Sequence, residues 1–180
     1  MTDQGVVVFG IPIPSSAPGF LAIIALHVAV GLLCAVSGVV AMLAPKGPGR
    51  HAPAGSVYYW SLVMVFVTMT VLTILRWPAN NHLFVLGLVS FVAGSVGRRA
   101  RRRRRPGWAP VHVTGMALSY ILLLTAFYVD NGPHLPLWRS LPHVAYWLLP
   151  NLIGLAMLGW ALLRHPLIVR LRRQESSGVT

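Results

Sequence analysis

Residues 98–105 read Arg98-Arg99-Ala100-Arg101-Arg102-Arg103-Arg104-Arg105, seven arginines in eight positions. Alone, such a block could be a nucleic-acid arm. It stands, however, between two apolar runs, 83–96 and 111–129. A basic block between membrane-length segments resists translocation and stays on the cytoplasmic side. It therefore orients the rest of the chain.

Composition agrees with that reading. Of 180 residues, 56% are hydrophobic and only 10% charged, and the mean hydropathy is +0.68. Soluble domains carry about 25% charged residues. Here charge is absent from long intervals and gathered at their edges, the pattern of an integral membrane protein. The net charge of +12 then reads as positive-inside loops that attract anionic lipid. Nucleic acid is not the expected partner, because the aromatic residues lie in or beside apolar runs instead of among the arginines. The single cysteine, Cys34, excludes an intrachain disulfide and a paired-cysteine metal site.

Outward from the block, the apolar intervals predict an all-α integral membrane bundle of five transmembrane helices at 20–43, 56–75, 82–97, 111–129 and 143–163. Each approaches the ~20 residues that cross hydrocarbon, 82–97 being the shortest. Residues 1–19 form a neutral, proline-containing lead outside the membrane. Without a positive start the lead does not read as a cleavable signal. Pro150-Asn151 is expected to break the fifth span. Residues 164–180 form a basic cytoplasmic tail.

With the block inside, thirteen of the fifteen Lys and Arg residues fall on the cytoplasmic side, leaving Arg76 and Arg139 outside. The prediction is a multi-pass protein of the inner (plasma) membrane, N-terminus out and C-terminus in.

Helix faces carry the next signal. Lipid gives no hydrophobic drive for helix association, so small residues mark contact faces. His27, Gly31, Cys34 and Gly38 share one stripe of the first span. Gly87, Ser90, Gly94 and Gly97 share one on the third, and His112, Gly115, Met116 and Ser119 neighbour each other on the fourth. On the fifth the stripe is His143, Trp147, Pro150, Gly154 and Ala161. Such gaps serve helix packing, or leave room for a flat cofactor.

Seven histidines against three acidic residues is the chemical signature of the chain. Topology sorts His51, His112 and His165 to the inner side, and His82, His134 and His143 to the outer. His27 lies within a span, where an ionisable group reads as functional by default. Paired imidazoles from different helices hold b-type haem in membrane bundles. His51 with His112, and His27 with His143, are the candidate haem b ligands, His82 being the other outer histidine that His27 could face; the set suits transmembrane electron transfer with a redox partner or a second copy of the chain. The competing constellation is a zinc site of His82, His134, His143 and Asp130 at the outer face, open to water for hydrolysis. A third class is a non-catalytic membrane partner subunit. No Asp, Glu or Lys falls in a span, and no phosphate loop or nucleophile elbow is present, so no reaction is assigned.

His27 with Gly31, His51 with Gly55, and His112 with Met116 carry a resemblance to an uncharacterised bacterial family of predicted multi-span membrane proteins with three recurrent histidines. It covers residues 26–130. The arginine that family has directly after its second histidine is Ala52 here, and that after its third is Val113. The resemblance implies a shared choice of histidines without a named activity. A looser likeness to two-haem membrane b-type cytochromes rests on helix number and histidine placement.

Overall fold

The computed structural model describes residues 6–8, 11–13, 15–46, 49–77 and 79–164. The expectations for His165 and the basic tail lie outside the described residues. Five helices dominate: α1 (Pro18–Leu43), α2 (His51–Leu75), α3 (Asn81–Arg103), α4 (Trp108–Asn131) and α5 (His143–Arg164). All five are long and apolar enough to cross a membrane; the protein is a multi-pass, all-α membrane bundle.

The lead holds a short antiparallel pair that the sequence reading did not anticipate, β1 (Val6–Val8) and β2 (Ile11–Ile13), with Val7 opposite Pro12. Its β-branched residues favour extended backbone.

Helix ends follow local chemistry. α1 opens on Pro18, whose missing N–H costs nothing in a first turn. It closes at Ala44-Pro45, where Lys46 Nζ donates to the carbonyls of Ala41, Met42 and Ala44 at 3.2, 2.6 and 3.1 Å. α2 begins five residues earlier than expected because Pro53 sits in its first turn instead of opening it.

α3 departs most from expectation. Its helix passes Gly97 and continues through Arg103, since arginine is a strong helix former. It stops where Arg104 turns left-handed (φ 47°) ahead of Pro106, and Gly107 (φ 75°) starts α4. Much of the arginine block is thus displayed on a helix.

α5 runs unbroken through Pro150, correcting the expected break. Membrane helices accommodate proline when neighbouring groups rebond the backbone. Next to the proline, Asn151 Nδ2 ties the helix to its neighbour, donating to the Trp147 carbonyl at 2.6 Å and to Thr125 Oγ1 on α4 at 3.0 Å.

Consecutive helices pack in order, α1 on α2, α2 on α3, α3 on α4 and α4 on α5, while α1 also touches α4. The tightest seam joins α3 and α4. A methyl at Gly97 would lie 2.9 Å from the Met116 nitrogen, and one at Gly115 2.7 Å from the Ala93 carbonyl oxygen. Two clusters fill the interior. Cys34, Tyr58 and Leu62 occupy the half nearer the arginines; Met69, Leu83, Val129 and Tyr146 occupy the other.

Candidate functional site

The arginine-bearing end of the bundle gathers the start of α2, the end of α3 and the start of α4. His51 is the first residue of α2 and His112 lies in the second turn of α4. Their ring centres are 6.4 Å apart with planes at 88°. The predicted inner pair is therefore a spatial pair.

Each ring is aimed by a carbonyl on a third helix. His51 Nδ1 lies 2.8 Å from the Ala41 oxygen of α1. His112 Nδ1 lies 3.0 Å from the Gly97 oxygen of α3. A carbonyl only accepts, so each Nδ1 carries a proton, and in the neutral ring the lone pair is then on Nε2. A backbone carbonyl on Nδ1–H is the usual orienting contact of a ligating imidazole.

Lys46 shares the Ala41 carbonyl with His51. Partial burial pushes the Lys46 pKa below the ordinary lysine range. Trp108 stands beside His112, ring centres 6.1 Å apart, and carries Arg101 on its face at 5.1 Å. Gly55, one turn along α2 from His51, has no atom within 4 Å of where a Cβ would stand. Gly97 and Gly115, by contrast, are consumed by helix packing.

The outer candidates are arranged differently. His27 is nine residues along α1, roughly 13 Å from its start at 1.5 Å per residue. Its Nδ1 is 2.8 Å from Thr68 Oγ1 of α2, and the Thr68 hydroxyl donates to the Met64 carbonyl at 2.8 Å. His27 is thus a hydrogen-bonded interhelical residue. His143 packs on Tyr146 of its own helix, and His82 lies against Trp147. No contact joins His27 to His143 or His82 in the described structure.

Asp130, at the end of α4, lies near His82 and His134. Among the described residues, though, no three His, Cys, Asp or Glu side chains come within reach of one metal ion. The four alternative zinc ligands are neighbours of one membrane face without being one cluster.

Beneath the histidine pair runs a polar thread. Tyr58 OH is 2.7 Å from Ser119 Oγ, which donates to the Met116 carbonyl; Ser90 Oγ donates to the Ser119 carbonyl at 2.7 Å. Tyr120 OH donates to Ala35 O at 3.1 Å. Tyr58 and Ser90 were not among the sequence candidates, although a tyrosine or serine in a span is a signal in itself, since its hydroxyl must find a partner there.

No family model, curated protein or solved structure that was compared with the chain matches it.

Proposed function

We propose that this membrane protein binds one b-type haem at the arginine-bearing end of the bundle, with His51 and His112 as its axial ligands, and works in electron transfer. The observation that carries the reading is that two imidazoles from different helices meet at this end, ring centres 6.4 Å apart, each with its Nδ1 on a backbone carbonyl.

The donor set also fits. Two imidazoles, each with its proton on Nδ1, are what a bis-histidine haem requires. When bound, haem supplies one-electron exchange. The protein's own part is to hold the imidazoles by the Ala41 and Gly97 carbonyls and to keep the group beside the membrane's basic face. In this reading the membrane is the inner (plasma) membrane and that face is cytoplasmic. Electron passage across the membrane would need a second group, for which His27 and His143 are the candidate ligands.

An optical spectrum tests the proposal. Purified, dithionite-reduced protein should show a Soret band and an α-band, with about one haem per chain, and His51→Ala or His112→Ala should abolish both. A His143→Ala variant should leave the inner haem in place. A sample without these bands sinks the reading. Metal analysis then separates the alternatives: zinc favours a hydrolase at the outer face, and no metal favours a non-catalytic partner subunit.

A further inference from the structure

One face of α3 reads Val85, Val89, Val92, Val96, Arg99, Arg103, with spacings of four, three, four, three and four that keep all six on one stripe. The four valines are between 49% and 57% exposed, the exposure of a lipid-facing strip. Where the valines give way to arginines, a groove of about 270 Å³ opens between the end of α3 and the start of α4. Val96, Arg99 and Arg103 line one wall; Arg105, Trp108 and Val111 line the other.

No carboxylate among the described residues stands near the groove. Among the described residues the sole carboxylate is Asp130, some 22 residues along α4, about 33 Å away by helix rise. α4 also begins here without a side-chain cap, so its positive dipole end adds to the field. Arg98 and Arg101 are engaged elsewhere. Arg98 stacks over Tyr59 at 4.4 Å and Arg101 over Trp108 at 5.1 Å. The block is thereby divided: two arginines anchor to aromatic rings, and Arg99, Arg103 and Arg105 are exposed around the groove.

We propose that this groove binds one anionic phospholipid, its phosphate held by Arg99, Arg103 and Arg105 and one acyl chain laid along the valine stripe of α3. Both halves of the ligand are written into one face of α3 and the turn that follows it: guanidinium groups match phosphate oxygens through paired N–H donors, and the apolar track continues from them into the hydrocarbon. A soluble anion would use only the first half. A diffuse basic surface would not distinguish these three arginines from the others.

The test uses the full chain, purified in neutral detergent, delipidated and titrated with phosphatidylglycerol, with bound lipid counted by native mass spectrometry. One lipid per chain should be retained, and phosphatidylcholine should not replace it. Each groove arginine changed to glutamine should weaken binding about fivefold, so R99Q/R103Q/R105Q together lose roughly a hundredfold. The control R50Q/R102Q/R104Q removes the same charge from exposed positions on the same side and should change affinity less than about fivefold. Should the groove triple fail to fold, Arg103→Gln alone carries the comparison. Equal losses in both triples, or none in the groove triple, would overturn the proposal. So would displacement of the lipid by equimolar inorganic phosphate, which identifies a site for free anions.

Discussion

At the scale of single residues, the glycines separate packing from space. Gly97 and Gly31 both lie on small-residue stripes, yet their surroundings are opposite. A methyl at Gly97 would meet the Met116 nitrogen at 2.9 Å and the His112 oxygen at 3.1 Å, all backbone, whereas at Gly31 it meets nothing within 4 Å. Gly97→Ala should therefore destabilise the bundle by about 1–3 kcal/mol, because backbone cannot give way as a side chain can. Gly31→Ala should be neutral or stabilise by up to about 1 kcal/mol through helix propensity. Unfolding in mixed micelles, followed by circular dichroism, checks both; a Gly97→Ala protein as stable as the parent would show that the α3–α4 seam is looser than described. Sequence spacing marked both stripes but could not tell the closed gap from the open one, since that depends on which helix arrives opposite. The pairing of His27 with Thr68 was within reach. In antiparallel neighbours, a residue nine from the start of α1 and one seven from the end of α2 lie at similar depth. The histidine's depth along its helix was legible; its hydroxyl partner needed the register of two helices.

At the scale of elements, the turn between α3 and α4 is the joint on which the candidate site depends. Four residues, 104–107, reverse the chain and deliver Trp108 and His112 beside the end of α3. Arg104 holds a left-handed conformation at φ 47°, one that costs a residue with a Cβ roughly 1 kcal/mol and glycine nothing. Arg104→Gly should thus stabilise the protein by up to about 1 kcal/mol, while Gly107→Ala, at φ 75°, should destabilise it by about as much. The same unfolding assay reads both, and a loss of stability on Arg104→Gly would mean that its side chain, not its backbone, matters there. The five spans were legible because apolar length leaves little choice in a membrane. Their ends were less so. Arginines suit a helix and a loop equally by polarity, so hydropathy stopped α3 at residue 97 while propensity carried it to Arg103. Pro150 misled in the opposite direction: α5 runs on through it, and the bond from Asn151 to Thr125 that ties this turn to α4 is a tertiary fact.

At the scale of the whole molecule, orientation decides what every site faces. Alternating helices put Lys46, Arg50, the arginine block and Arg164 at one end, and Arg76 and Arg139 at the other. A translocation cost that grows with each cation favours the crowded end inside. The bundle supplies its own reporter for a test, since Cys34 is its one cysteine and is fully buried, which makes it silent to a membrane-impermeant maleimide. In intact cells, Arg139→Cys should label and Arg102→Cys should not; permeabilising the membrane should expose the second. The reverse pattern would turn the bundle over. The His51–His112 pair and the valine–arginine stripe would then face outward together, because both are fixed to the same end of α3. Orientation is in that sense a single property of the molecule, and one labelling experiment assigns it to both proposed sites at once.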